Sequence, residues 1–187
     1  MKMNKYIKSL LFSATLWYFG EGMMGPLLAF FAQKVGGNLL EITWAWASFL
    51  IVSGVFYIIV GKFVDLKGNK ELVMVIGYGL NAVFTFCYLF VSSPWHLIAV
   101  EAGLGFATAL ATPTWNALFS KYTDKDNDGF QWGIYGGLEK ITTAASILIG
   151  GIVVNYLSFN LLFIIMGTIQ LLATVVQIPF LLEKKTK

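Results

Sequence analysis

Residues 61–70 read GKFVDLKGNK, and this short basic segment separates two long apolar runs, residues 42–60 and 71–92. The basic residues of the segment are all lysines: Lys62, Lys67 and Lys70. A helix of about 20 apolar residues is long enough to cross the hydrocarbon core of a bilayer. The segment therefore predicts a lysine-rich loop on one side of a membrane, between two transmembrane helices.

Apolar runs of the same kind occupy nearly all of the 187 residues. The chain is 57% hydrophobic and only 12% charged, which is typical of membrane proteins and not of soluble domains. The first run lacks a small-residue cleavage site, which indicates a retained helix and not a signal peptide. We predict an all-α membrane protein, a single domain over residues 1–187 with no separate soluble part. Its six predicted transmembrane helices are residues 7–32, 42–60, 71–92, 96–119, 132–155 and 159–182.

The lysines lie on alternate connections between these runs. They precede run one and follow runs two, four and six, whereas the other three connections contain only Lys34 and His96 as basic residues. This is the positive-inside pattern, which predicts an integral protein of the plasma (cytoplasmic) membrane with both termini in the cytoplasm. Because the lysines are scattered over four segments, they indicate orientation in a lipid bilayer and not a nucleic-acid partner.

The longest polar stretch, residues 121–131, divides the chain into two groups of three runs, 1–92 and 95–182. Two groups with an odd number of helices cross the membrane in opposite directions, as the inverted repeats of secondary transporters do. A faint sequence echo joins GKFVD at 61–65, after the second run, and GIVVN at 151–155, at the end of the fifth. The sequence therefore favours two inverted three-helix repeats.

The segment at 61–70 also resembles the signature loop between helices two and three of the major facilitator superfamily. That signature runs glycine, three residues, aspartate, a basic residue, any residue, glycine and two basic residues. Lys67 supplies a charge one position late, and Leu66 and Asn69 replace basic residues. The matching positions are Gly61, Asp65, Gly68 and Lys70.

A second resemblance supports the first, since Gly103-Leu104-Gly105 is similar to the Gly-x-Gly of that family's fourth helix. The resemblance implies a secondary transporter that works by alternating access. It also implies that residues of the 61–70 segment latch one conformational state on the cytoplasmic side, where Gly61 would permit close approach of a neighbouring helix. The implied latch residues are Gly61, Asp65, Lys67, Gly68 and Lys70.

Most members of that family have twelve helices, in two six-helix halves around a central cavity, and this chain resembles the amino-terminal half. A lone half would present its polar face to lipid, where unsatisfied polar groups cost several kcal/mol each. A two-fold homodimer would bury that face, so a second copy of the chain is the favoured partner. The alternatives are one half of a split carrier with a different partner, and a non-transporting scaffold or accessory subunit.

Four ionisable residues lie inside the apolar runs: Glu21, Glu101, Glu139 and Lys140. Charge within a membrane costs about 2.5–3.5 kcal/mol, so each is a candidate functional group. Glu21 lies near the middle of the first run, close to the midplane of the bilayer. Nearby glycines and Pro26 predict a loosened or kinked helix there. A carboxyl group in a medium of low dielectric constant holds a proton more readily. Glu21 is therefore the favoured proton-coupling group, with Glu101 and Glu139 as further candidates, although a buried glutamate that serves packing alone is the alternative.

Helical spacing places polar and small residues on one stripe in each of runs four and five. We expect both stripes to face a cavity and contact a small-molecule solute. Trp17 and Met24 share a face with Glu21 and could form an apolar wall there or simply pack. Glu101 lies near the outer end of its run, so its side chain could instead reach the membrane surface. The stripes are Glu101, Gly105, Thr108, Thr112 and Trp115, and Trp132, Tyr135, Glu139, Thr142 and Ser146.

Lys140 follows Glu139 directly but points about 100° away from it on a helix. We expect Lys140 to pair with Glu21 or Glu101 on a neighbouring helix, or to contact the solute. A site with three acids and one lysine favours cationic or neutral solutes over anions.

The sequence gives no indication of an enzyme, a metal site or a cofactor. Residues 124–129, DKDNDG, match the opening of a calcium-binding loop, but its twelfth position requires glutamate and is Tyr135 here. Phosphate-binding loops, zinc-ligand spacings and nucleophile triads are not found in the sequence.

Overall fold

The structure is a computed structural model that describes residues 3–67 and 69–184, with only the backbone of residues 65–67 and 182–184. Every regular element in these ranges is helical, which confirms the predicted all-α class. A short 3₁₀ turn, Tyr88–Phe90, continues the fourth helix. The helices are α1 Lys5–Gly22, α2 Leu27–Lys34, α3 Leu39–Lys67, α4 Lys70–Cys87, α5 Pro94–Tyr122, α6 Asp128–Tyr156 and α7 Phe159–Lys184.

Five of the six predicted runs coincide with helices that are long and apolar enough to cross a membrane. Each begins and ends within a few residues of its predicted bounds, because hydropathy summed over a whole span is insensitive to single polar residues. These candidate spans are Leu39–Val64, Lys70–Phe90, Pro94–Tyr122, Asp128–Tyr156 and Phe159–Leu181.

The first run is two helices, α1 and α2, separated by a turn at Met23–Pro26. Pro26 has no amide hydrogen to donate, and it disfavours helical geometry at the residue before it. The amide of Leu27 donates instead to the carbonyl of Met24, three residues back, at 2.7 Å. The predicted kink is therefore found as a break. A single span over 7–32 is wrong as a continuous helix, and crossing by α1 and α2 together stays a prediction.

The helices are arranged side by side in the order α3, α5, α4, α7, α1 and α6. α5 packs between α3 and α4, and α7 packs between α4 and α1. The helices at the two ends of this order, α3 and α6, are the least buried of the candidate spans. Helices of residues 1–92 thus pack mainly against helices of residues 95–182, and the two groups interleave.

Glycines bring the backbone of α5 into direct contact with both neighbours. A Cβ added at Gly105 would collide with the carbonyl oxygen of Phe49 on α3, and one added at Gly77 on α4 would lie 2.5 Å from the Ala111 nitrogen. Small residues at helix contacts allow such close packing in membranes.

A Cβ added at Gly61 would meet no atom of the described residues within 4 Å, so the expected close approach is not found among them. Gly68 and the side chains of Asp65 and Lys67 lie outside the described residues, whereas Lys70 begins α4. The latch role of this segment therefore stays a prediction.

Two apolar clusters fill the interior, one toward each end of the helices. The first includes Met23, Phe31 and Phe163, and the second includes Leu10 and Met74. Several residues of the first cluster also line the cavity described next.

Candidate functional site

A cavity of about 310 Å³ lies against the first apolar cluster, and every helix contributes to its wall. Much of the wall is apolar or aromatic, including Met24, Trp46 and Phe49. The wall also carries carboxyl, amide and hydroxyl groups from five helices. The polar residues used below are Glu21, Asn81, Thr85, Glu101, Glu139 and Gln170.

Glu21 is half-buried near the end of α1, where it lines this cavity. The indole Nε1 of Trp17, one turn earlier, donates a hydrogen bond of 2.7 Å to Glu21 Oε2. Trp17 itself lines a smaller neighbouring cavity, while Met24 lines the main one with Glu21. The predicted shared face is therefore present, but Trp17 orients the carboxyl group instead of forming a wall of the main cavity.

Glu101 is buried, with 2% of its surface exposed, and its side chain lines the same cavity from α5. The hydroxyl group of Tyr88 donates a hydrogen bond of 2.5 Å to Glu101 Oε1. The Tyr88 ring is held in turn by stacking on Phe163, with ring centroids 5.0 Å apart. Glu101 thus points inward, and the alternative that it reaches the membrane surface is wrong.

Glu139 lines the cavity from α6, and its Oε1 atom lies 2.7 Å from the Nζ atom of Lys140. The Lys140 side chain is 78% exposed. The expected pairing of Lys140 with Glu21 or Glu101 is therefore wrong. Adjacent Cβ atoms diverge on a helix, but the long lysine and glutamate side chains bend back toward each other.

The stripe predicted on the fourth run does not face a single cavity. Glu101 lines the main cavity, but Gly105 packs directly on α3 because α5 lies between α3 and α4. Thr112 and Trp115 line a separate small cavity of about 20 Å³. Thr108 lies outside both walls, and its buried hydroxyl group has no hydrogen-bond partner among the described residues.

The stripe on the fifth run is divided in the same way. Tyr135 lines the small cavity, and its hydroxyl group hydrogen-bonds that of Tyr18 on α1 at 2.6 Å. Glu139 lines the main cavity, whereas Thr142 and Ser146 are buried. Tyr18 lines both cavities, whereas Tyr135 lines only the small one.

Two amides in the cavity wall, Asn81 and Gln170, were not predicted as site residues. Both are buried, 2% and 1% exposed, and they come from the neighbouring helices α4 and α7. The Gln170 Nε2 atom donates to the main-chain carbonyl of Trp17 at 3.0 Å. These residues could have been predicted because each is a polar residue within an apolar run, and a buried amide, like a charge, is costly in a membrane.

Comparison with known proteins decides what kind of protein contains this cavity. Residues 10–187 match the family model of the Major Facilitator Superfamily. The chain belongs to the major facilitator superfamily. Members of this superfamily are membrane transporters of small solutes and not enzymes.

Two superfamily members illustrate the range of chain length. The uncharacterized MFS-type transporter MJ1560 of Methanocaldococcus jannaschii is 28% identical over 157 residues, which cover 84% of this chain and 40% of that protein. The uncharacterized MFS-type transporter YitZ of Bacillus subtilis is 18% identical over 146 residues, which cover 78% of this chain and 88% of that protein. The chain thus spans less than half of the archaeal relative and most of the bacterial one.

Proposed function

We propose that the chain is a proton-coupled secondary transporter that moves a small cationic or neutral solute by alternating access. In this proposal it works as a homodimer in the plasma membrane, with both termini in the cytoplasm. One observation carries the proposal. The carboxyl groups of Glu21 and Glu101 line the same cavity, and neither is paired with a cation among the described residues.

Both carboxyl groups accept hydrogen bonds from neutral donors, Trp17 and Tyr88, while Lys140 is engaged by Glu139. A carboxylate without a counter-charge is costly in a low-dielectric cavity, so it binds either a proton or a cation. Protons and a cationic solute would then compete for the same oxygen atoms. Such competition couples the movement of one to the movement of the other.

The walls of the cavity suit an organic cation. The rings of Trp46 and Phe49 on α3 stack with centroids 5.5 Å apart, and both line the cavity with Tyr88. Aromatic faces attract cations when these lie within about 6 Å of the ring centroid. A volume of about 310 Å³ is at the small end of ligand pockets and fits a small molecule.

The exposed surface of α6 is evidence for a second six-helix unit that packs against it. Lys140 lies near the middle of Asp128–Tyr156 and is largely exposed. In lipid, a lysine at this depth costs about 2.5–3.5 kcal/mol, and a second six-helix unit against α6 would remove that exposure. The match covers 40% of MJ1560, which agrees with this chain corresponding to one half of a two-half transporter. We propose that the second half here is an identical copy.

Proton-coupled transport is tested in liposomes that contain the purified protein and a pH-sensitive dye. Addition of an organic cation outside the liposomes is expected to move protons, and Glu21→Gln is expected to abolish this flux. The matched control is Glu41→Gln, since the half-buried Glu41 does not line the cavity and its side chain accepts a bond from the main-chain N–H of Asn38, which glutamine can also accept. Equal flux in wild type and Glu21→Gln would refute the role of Glu21.

The homodimer is tested by the mass of the same preparation in detergent. A mass of two protomers together with flux supports a self-sufficient transporter. A monomer without flux for a broad panel of solutes would refute the homodimer and direct the search to a different partner half.

A further inference from the structure

Hydrogen-bond donors in the wall of the main cavity are largely used within the protein. The Tyr88 hydroxyl donates to Glu101, and the Thr85 hydroxyl donates to the main-chain carbonyl of Asn81 at 2.7 Å. The hydroxyl of Tyr18 is bonded to that of Tyr135, and the Trp17 indole beside the cavity donates to Glu21. The wall donors that form no bond with a described residue include the Asn81 side-chain amide nitrogen and the Trp46 indole.

Acceptors without a described partner are more numerous. Gln170 uses its amide nitrogen on the Trp17 carbonyl, which fixes the orientation of the amide, and its Oε1 atom has no hydrogen-bond partner among the described residues. The side chain of Asn81, on the adjacent helix, forms no hydrogen bond with another described residue. Two carboxyl groups complete this set of acceptors, each accepting one bond through one of its two oxygen atoms.

We propose that the cavity selects cations that carry N–H groups, a primary ammonium or a guanidinium, over quaternary ammonium ions, and that Gln170 and Asn81 determine this specificity. The inference rests on the proposed function, because it names the solute class of the same cavity. A primary ammonium has three N–H donors, which match in number a carboxylate and two amide oxygens. A quaternary ammonium has the same charge but leaves both buried amides without a partner, which is costly.

The position of Gln170 depends on a glycine of α1. A Cβ added at Gly20 would lie 2.8 Å from Gln170 Nε2 and 3.2 Å from its Cδ. The absence of a side chain at Gly20 therefore gives the amide room to lie against α1, where it reaches the Trp17 carbonyl.

The chain contains a matched control for Gln170. Gln177, two turns along α7, is also fully buried, donates its amide nitrogen to Ser13, and has an Oε1 atom without a described partner. Gln177 does not line the main cavity. The same substitution at the two positions therefore separates loss of a buried amide from loss of a solute contact.

The test measures binding of two probes to the purified full chain by isothermal titration calorimetry. The probes are 2-phenylethylamine, charged at pH 7, and its N,N,N-trimethyl derivative. Wild type is expected to bind the primary amine at least tenfold more tightly, since a hydrogen bond to a charged group is worth about tenfold or more in affinity. Gln170→Met is expected to reduce this preference about tenfold. Gln177→Met is expected to leave it unchanged.

The decisive quantity is the ratio of the two binding affinities and not either affinity alone, because a disturbed fold weakens the binding of both probes equally. If Gln170→Met is not monodisperse, Gly20→Ala replaces it. Gly20→Ala keeps every polar group but displaces the Gln170 amide, and is expected to lower the preference in the same direction. An unchanged preference in whichever variant is folded refutes the inference.

The failure of this inference is distinguishable from that of the proposed function. One outcome is that wild type binds both probes, Glu21→Gln abolishes binding, and Gln170→Met leaves the preference unchanged. The proposed cationic solute class is then supported, and the inference about the amides is wrong. If wild type binds neither probe, the cationic solute class and the amide inference are both wrong.

Discussion

Replacement of Gly105 by alanine is expected to destabilise the protein by about 2 kcal/mol. The new Cβ would collide with the carbonyl oxygen of Phe49 and lie 3.1 Å from the Phe49 Cα atom. These atoms belong to the backbone of α3, so a whole helix must shift to relieve the contact. Overpacking of this kind costs about 1–3 kcal/mol, and the cost is at the upper end where backbone is involved. The better helix propensity of alanine returns about 1 kcal/mol.

The assay is thermal unfolding in detergent, in which the fraction of protein that stays monodisperse on size exclusion is measured as a function of temperature. For a chain of this length, about 2 kcal/mol corresponds to a fall in Tm of about 4–8 °C. Gly54→Ala on α3 is the control, because its Cβ would meet nothing within 4 Å, and we expect an unchanged or slightly higher Tm. The atoms nearest to a Cβ added at Gly103 belong to the ring of Phe84, which can rotate, so an intermediate result is expected for Gly103→Ala. If Gly105→Ala melts at or above the Gly54→Ala temperature, the argument from close α3–α5 packing is refuted.

Three further substitutions test two hydrogen bonds between helices by the same assay. Ser13→Ala removes the acceptor of the buried Gln177 amide, and we expect a loss of about 1–3 kcal/mol because that amide is left unpaired; an unchanged Tm would contradict the bond. Tyr18→Phe and Tyr135→Phe each remove the 2.6 Å bond between α1 and α6. Each is expected to cost about 1 kcal/mol, and the double variant no more than either single one, whereas additive losses would mean that the hydroxyl groups act separately.

The positions of the helices were predictable because they depend on sums over many residues. Lysine counts on the connections and hydropathy over about 20 residues tolerate single exceptions. The break in the first run was predicted only as a kink, although Pro26 and its preceding glycine mark the place. Prediction failed where side-chain length mattered, since the direction of Cβ at Lys140 did not determine where its ammonium group lies.

The partners within the cavity were not predictable from spacing. Helical periodicity assigns residues of one helix to a face, but the order of the helices decides what that face meets. Tyr18 and Tyr135 are far apart in the chain and hydrogen-bond because α1 packs on α6. Asn81 and Gln170 lacked charge and were therefore overlooked, although an amide buried in an apolar span follows the same rule as a carboxyl group.

The interleaved order of the helices has a consequence for synthesis of the protein. Helices leave the ribosome in chain order, yet α3 and α4 find their main neighbour only when α5 has been made, and α1 must wait for α6 and α7. Until then, Glu21 and the close-packing glycines of the early helices face lipid or the translocation machinery. The final packing is therefore completed only after translation of α7, and the nascent chain depends on being held in the membrane until that helix arrives.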